Sequence, residues 1–360
     1  MITIIQDWFR RYFSDPEVAI LALLLFFGSA LIFFFGDLLA PVVASVIIAY
    51  FLESIVGIME RKGAVRMAAV LVVFIAFMML LLFAIFGLMP LLSRQFTQLF
   101  QQLPQMVGTG QNLLMSLPEH YPTFITASQV DDLMAGIRSE LATWGQDLVT
   151  LSLSSLPGLL TLVIYVVLMP LLVFFFLKDK ARILGWVTGY MPRARGLAAQ
   201  VWSDVDLQIG NYVRGKFWEI MIVWIVSFVV FSLMGLKFAF LLGFAIGMSV
   251  VVPYVGAVLV TIPVAAVAFF QWGLSSEFLY LMIAYFVIQA LDGTVLVPLL
   301  FSEVTNLHPI AIIVAVLVFG GLWGVLGAFF AIPLATLVQA VLIAWPRING
   351  DTGNPPETAA

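Results

Sequence analysis

The chain has 360 residues, of which 63% are hydrophobic, 10% charged and 14% aromatic, with a formal net charge of −4. No water-soluble fold of this size hides that much apolar surface, so a soluble enzyme is excluded, and the continuous apolar run Leu159–Leu177 excludes an outer-membrane barrel, whose strands alternate. With no cysteine, two histidines (His120 and His308) and a negative balance, the composition speaks against thiolate chemistry, a zinc centre, any resident cofactor or nucleic-acid binding.

In chain order, residues 1–17 read as an interfacial helix, with Trp8, Phe9, Tyr12 and Phe13 around Arg10 and Arg11. Ser14 and Glu17 form a capping box, and Val18–Phe35 follows as a first transmembrane helix. A tight turn at Gly36-Asp37 returns Leu38–Leu52 across the bilayer. Arg61, Lys62 and Arg66 place the next loop in the cytoplasm by the positive-inside rule. Ala68–Met89 crosses outward and ends at Pro90, so residues 18–92 hold three spans.

Residues 93–155 are polar, and Val130, Leu133, Met134, Ile137, Leu141, Trp144 and Leu148 recur at helical spacing. They predict an extracytoplasmic insert of amphipathic helices, either a solvated cap or an oligomerisation surface. Residues 156–216 hold a fourth span, Pro157–Leu177, and a basic cytoplasmic segment. Seven of the chain's 16 basic residues fall in 178–216: Lys178, Lys180, Arg182, Arg193, Arg195, Arg214 and Lys216.

Residues 217–345 predict the transport core, and 346–360 a disordered tail. Phe217–Leu236 crosses outward, with Glu219 as an interfacial residue near Arg214 and Lys216. The apolar stretch 238–272 is broken at Pro253-Tyr254-Val255-Gly256, leaving arms of about 25 Å against a hydrocarbon core of about 30 Å. The stretch 308–345 is broken around Gly320-Gly321-Leu322-Trp323-Gly324. The two share a weak pattern: Gly256-Ala257 leads to Ile262-Pro263, and Gly327-Ala328 to Ile332-Pro333, with one residue fewer between. With the full span Phe278–Phe301 between them, they read as two re-entrant hairpins in inverted repeat, or else as two plain spanning hairpins.

No Walker loop is present, so any transport is passive or driven by a gradient. Asp292, in the middle of Phe278–Phe301, reads either as a protonatable or cation-binding carboxylate or as a cap at Gly293. Gln289 one turn away and Thr294 complete a polar set with it. Asn306 and His308-Pro309 at the mouth of the second hairpin suit helix capping. Gly243-x-x-x-Gly247 and Gly320-x-x-x-Gly324 permit close helix packing.

In order along the chain come Phe175-Phe176-Leu177-Lys178-Asp179, Tyr212-Val213-Arg214-Gly215-Lys216, Pro253-Tyr254-Val255-Gly256 with Ile262-Pro263, Gln289-x-x-Asp292-Gly293 with Pro298, Asn306-Leu307-His308-Pro309, and Gly320-Gly321-x-x-Gly324-x-x-Gly327 with Ile332-Pro333-Leu334. This ordered set resembles the autoinducer-2 exporter family of bacterial membrane permeases, especially its PerM-like branch. It departs from the family pattern at Ala257, where proline is frequent, and at Thr294, where asparagine is. The spans and their basic loops predict an all-α, polytopic membrane bundle with both termini cytoplasmic, and the resemblance implies a multi-helix inner-membrane transporter. It also implies a homo-oligomer in the lipid bilayer that handles a small-molecule or ion substrate. The residues themselves make Asp292, Gln289, Thr294 and Asn306 the candidate site, beside the hairpin breaks Pro253, Gly256, Pro263, Gly324, Gly327 and Pro333. Three functions stand open: export of a small polar metabolite such as autoinducer-2, a sodium(lithium)/proton antiporter centred on Asp292, and a membrane scaffold. The sparse intramembrane charge favours the first over the second.

Overall fold

The computed structural model describes residues 16–115, 127–153, 164–190, 196–301 and 307–344. The interfacial helix and Ser14, Arg193 and Arg195, Asn306 and the tail lie outside the described residues. Every element among those described is a helix. Five are long and apolar enough to cross a membrane: Leu38–Arg61, Arg66–Gln111, Asp206–Leu233, Val255–Trp272 and Ser276–Phe301. Large apolar side chains stay outside on all of them, such as Val72, Met79 and Phe86 on the second span. Such faces are stable only with lipid as solvent, so the chain is a polytopic helical membrane protein.

The first helix, α1 (Pro16–Arg61), runs through Gly36-Asp37 without the expected turn. A two-residue turn there would strand the unpaired carbonyls and amides of two helix ends in apolar surroundings, and one continuous helix satisfies them. The expectation of a cytoplasmic N-terminus rested on that turn and loses its support.

Pro90 does not end the next helix either. α2 (Arg66–Phe83) continues through a π-helical turn, Ala84–Leu88, into α3 (Met89–Met115). The same device recurs twice. A π turn at Ile164–Leu168 precedes α5 (Met169–Lys178), and another at Asp292–Leu296 precedes a final helical turn, α11 (Val297–Phe301). Each π turn is centred four residues before a proline: Phe86 before Pro90, Val166 before Pro170 and Thr294 before Pro298. Proline cannot donate to the carbonyl four residues back and its ring crowds it, so the ladder widens there. Proline alone is not sufficient, since Pro41, Pro104 and Pro263 sit inside helices that stay α.

The chain divides into two compact units. The larger comprises Leu38–Ala181 and Val213–Ser302. One of its cores joins Ala49, Leu52 and Val56 of α1, Ala69, Val70 and Val73 of α2, and Val173 and Leu177 of α5. At one end of that core the Arg66 guanidinium donates to Glu53, Glu60 and, at 2.6 Å, the Leu177 carbonyl, while Lys180 Nζ lies 3.2 Å from Glu53. Both basic loops, 61–66 and 178–180, are therefore tied at the same end.

α3 carries on beyond the bilayer. The 46 residues of Arg66–Gln111 make about 69 Å of helix, more than twice the hydrocarbon thickness. Its distal part packs on α4 (Ala127–Leu153), where Val130 and Met134 are buried and Arg138 donates to Gln111. The insert contains two paired amphipathic helices.

The other core of the larger unit belongs to α7 (Gly196–Leu233), α8 (Ala239–Ser249), α9 (Val255–Trp272) and α10 (Ser276–Leu291). Val223, Phe231, Leu242, Ile246, Val264, Leu281 and Tyr285 fill it. Gly243 and Gly247 let α8 close on α7: a Cβ at Gly247 would stand 2.6 Å from Trp224 Cβ, and one at Gly243 2.8 Å from the Phe228 nitrogen. The described residues of the basic segment after Lys178 are helical as well: α6 (Lys180–Tyr190) follows α5, and α7 begins at Gly196. Lys216 therefore lies inside a spanning helix, not in a loop.

In the smaller unit, α12 (Pro309–Phe329) folds against α13 (Ala331–Ala344). The His308 imidazole Nδ1 accepts the Ile310 N–H at 3.2 Å and caps α12, as expected. Tyr212 donates to the Phe329 carbonyl at 2.8 Å.

Candidate functional site

Both apolar stretches are broken hairpins. In the first, α8 stops at Ser249 and α9 starts at Val255, with Tyr254 held at φ 61° between them. α8 has 11 residues, about 17 Å, which cannot cross a 30 Å core alone. In the second, α12 is interrupted by non-helical backbone at Trp323 and at Gly324, where φ is 60°. Gly324 is thus a break rather than a packing glycine, and nothing lies within 4 Å of its would-be Cβ.

The weak sequence repeat has a structural meaning. At Gly256 a Cβ would fall 1.7 Å from the Ser249 carbonyl oxygen, and at Gly327 it would fall 1.9 Å from that of Phe319. In each hairpin the glycine is where the returning arm passes directly over a carbonyl of the outgoing arm. Pro263 and Pro333 follow at related positions inside the returning helices, and Pro333 accepts the Thr336 hydroxyl at 2.8 Å.

Asp292 is the C-cap position of α10 and opens the third π turn, so the helical backbone carries on through Gly293. Its Oδ1 is buried and has no hydrogen-bond partner among the described residues. The expected neighbours point elsewhere. Gln289 donates from Nε2 to the Tyr285 hydroxyl at 2.9 Å, and Thr294 donates back to the Ala290 carbonyl at 2.6 Å. Tyr285, fully buried, lies 2.7 Å from the Thr261 hydroxyl and donates to the Ala257 carbonyl at 3.2 Å. Gln289 therefore belongs to a polar tie between α10 and the returning arm of the first hairpin.

Further buried charge lies on α7. Lys216 and Glu219 are 4% and 2% exposed, and Lys216 Nζ donates to Glu219 Oε2 at 2.7 Å. The expectation of an interfacial Glu219 is overturned. The Lys216 ammonium also sits over the Phe301 ring, 5.6 Å from its centroid. α7 reaches that ring because residue 215 is glycine: a Cβ there would stand 2.8 Å from Phe301 Cε1.

A signal for this pair existed. Glu219, Val223, Ser227 and Phe231 recur at four-residue spacing, all at 2% exposure or less, so the carboxylate shares one buried stripe with core residues. Among the described residues no group of three or more metal-ligating side chains occurs. A separate polar cleft of about 120 Å³, lined by Gln102, Gln105, Thr109, Lys237 and Gln271, does not include Asp292 or the Lys216–Glu219 pair.

Comparison with known proteins follows the same geometry along the chain. The family described as AI-2E family transporter matches residues 20–347. The Escherichia coli (strain K12) protein PerM, named as a permease, is 45% identical over 346 residues, covering 96% of this chain and 98% of its own. The Bacillus subtilis (strain 168) protein YueF, named as a transport protein, is 27% identical, covering 88% and 86%. The Escherichia coli (strain K12) AI-2 transport protein TqsA is 24% identical, covering 86% of each. Near-complete coverage by the family and 45% identity to a full-length relative establish that this chain belongs to the AI-2E family of membrane transporters.

Proposed function

We propose that the chain is a gradient-driven secondary transporter that moves a small polar solute across the bacterial inner membrane. The observations that carry this reading are a buried ion pair, Lys216–Glu219, and the buried Oδ1 of Asp292, each inside a helix otherwise apolar enough to span the bilayer. Ionisable groups are costly there and are kept where a pathway needs them. The two broken hairpins support the same reading. Interrupted helices expose backbone groups that a scaffold has no use for, and a transporter uses them at its site. The hairpins are read as re-entrant and as inverted repeats, with the insert of 93–155 outside and the 61–66 and 178–180 loops, together with the C-terminus, in the cytoplasm.

The exported solute in this reading is a hydroxylated metabolite of the autoinducer-2 type, as the name of the relative TqsA suggests. The sequence argument against ion coupling was the scarcity of buried carboxylates. Glu219 weakens it, because a second carboxylate is buried in a spanning helix. Cation coupling therefore becomes part of the proposal rather than a rival to it. The chain is also proposed to work as a homo-oligomer. The test is flux from proteoliposomes holding the purified full chain, with a panel of small polyols and hydroxyketones, with and without a proton or sodium gradient. Gradient-dependent efflux of one solute class is the expected result. Vesicles no leakier than empty ones to every solute, under every gradient, would refute it.

A further inference from the structure

The polar cleft beside the first hairpin has two helical walls. On α3, Gln102, Gln105, Met106 and Thr109 fall at i, i+3, i+4 and i+7 and share one face. Opposite them stand Val267, Phe270 and Gln271 at the end of α9, with Lys237 and Phe238 from the loop between α7 and α8. The walls are braced at both ends. Gln95 of α3 accepts the Leu241 N–H of α8 at 2.9 Å. About four turns further along α3, Gly110 meets the Phe270 ring, where a Cβ would stand 3.6 Å from Cζ. Between these braces the walls stay apart and enclose about 120 Å³.

The loop that brings Lys237 to the cleft is locked in an unusual shape. Its backbone is left-handed at Gly235, with φ 75°, and at Phe238, with φ 58°, a conformation that is costly for phenylalanine. Gln271 holds it there: Oε1 accepts the Lys237 N–H and Nε2 donates to the Gly235 carbonyl, both at 2.8 Å. Lys237 supplies the one charge among the lining residues. Among the described residues it has no ion pair, and the Gln102 and Gln105 amides have no hydrogen bond. The Thr109 hydroxyl donates to the Gln105 carbonyl at 3.1 Å and keeps its lone pairs to accept. An amphipathic helix ordinarily meets its neighbour through an apolar seam, whereas α3 turns amides and a hydroxyl toward α9.

We infer that this cleft binds a small hydroxylated monoanion, a hydroxy carboxylate of about three or four carbons. Lys237 takes the carboxylate. Gln102, Gln105 and Thr109 take the hydroxyls, because amides offer donors and acceptors together. Met106, Phe238 and Phe270 give the short carbon chain an apolar surface. The space equals that of about four waters, which sets the size. A phosphate ester, with about two negative charges, exceeds the single ammonium, and a neutral polyol leaves it unused. A ligand here touches both α3 and the loop that enters α8, so occupancy links the insert to the outgoing arm of the hairpin. The inference does not rest on the transporter reading.

The probes are sodium glycerate and sodium threonate, added at fixed ionic strength to the purified full chain in detergent. Binding is read by calorimetry and by the unfolding midpoint. Saturable binding of at least one is expected, with sodium acetate, glycerol and glycerol 3-phosphate each at least tenfold weaker. Lys237→Gln should weaken binding at least tenfold, and Gln105→Leu and Thr109→Val at least threefold each. All three sites are exposed, so the variants should unfold like wild type without ligand. Lys62→Gln, at an exposed lysine outside the cleft, should bind like wild type. The inference fails if neither hydroxy acid binds saturably, if acetate or glycerol 3-phosphate binds as tightly, or if Lys237→Gln keeps wild-type affinity. The readout needs neither gradient nor flux, so its failure is separable from failure of the transport experiment.

Discussion

Gly256→Ala and Gly327→Ala test whether the two hairpins are built alike. A new methyl carbon would fall 1.7 Å from the Ser249 carbonyl oxygen in the first case and 1.9 Å from the Phe319 oxygen in the second. A close carbon–oxygen contact is about 3.3 Å, so each site is short by roughly 1.5 Å. The opposing atom is backbone in both, and no side chain can swing aside. Overpacking that flexible side chains can absorb costs about 1–3 kcal/mol, so a clash with backbone exceeds the upper end of that range. Against a typical folding stability of about 5–15 kcal/mol, either change should sharply cut the yield of monodisperse protein in detergent and lower its unfolding midpoint. Gly57→Ala is the control. It lies inside α1 with nothing within 4 Å of its would-be Cβ, and should be neutral or stabilising by about 0.5–1 kcal/mol. If Gly256→Ala and Gly327→Ala unfold no earlier than Gly57→Ala, the close crossings do not exist and the structural basis of the repeat is lost.

Pro298→Ala should close the third π turn and rotate Asp292 relative to Phe301 by about 100°, the rotation of one residue. Gradient-dependent flux should fall at least tenfold, while Pro90→Ala, which closes a π turn with no ionisable residue, should spare it; equal losses would show that the π turns matter only to folding. Tyr285→Phe removes the hydroxyl that joins Gln289, Thr261 and the Ala257 carbonyl, and should destabilise by about 1–3 kcal/mol in thermal unfolding without abolishing gradient-dependent flux. The chain has no cysteine, so single-cysteine labelling reads topology cleanly. A cysteine at the exposed Ser128 should react with an impermeant reagent on whole cells, and one at the exposed Ser203 should react only after lysis; the opposite pattern would reverse the proposed orientation.

Much of this architecture was legible because apolar length is a strong signal and lipid tolerates only helices. The hairpin breaks could be read from Pro253, Gly256 and Gly324, since each residue type has a backbone consequence. What misled was counting charge by position in the chain. Lys216 was grouped with a basic loop, and Glu219 with the interface, because both follow a run of arginines and lysines. Their burial depends on α7 starting at Gly196 and on a glycine at 215 that admits the Phe301 ring. Neither fact shows in a linear charge count. Gln289 misled in a different way. Its one-turn spacing from Asp292 is real, but a hydroxyl on Tyr285, four residues away and facing the hairpin, offers its amide a partner that the carboxylate does not. At Gly36-Asp37, two residues that favour turns were outvoted by the apolar context on either side.

The proline offset ties the site to the helix that carries it. Three prolines each lie four residues after the centre of a π turn, yet only the turn before Pro298 begins with an ionisable residue. The turns before Pro90 and Pro170 consist of Ala84-Ile85-Phe86-Gly87-Leu88 and Ile164-Tyr165-Val166-Val167-Leu168, which have no charge to present. The widened ladder is thus a general consequence of proline in these helices, and Asp292 has been placed on one instance of it. A wide turn leaves backbone carbonyls beside the carboxylate less firmly paired than a regular α-helix would. The same helix is anchored to the first hairpin one turn earlier, through Gln289 and Tyr285. The helix that carries Asp292 is therefore tied, through the turns that precede it, to a hairpin arm at Ala257, next to the break at Pro253–Gly256.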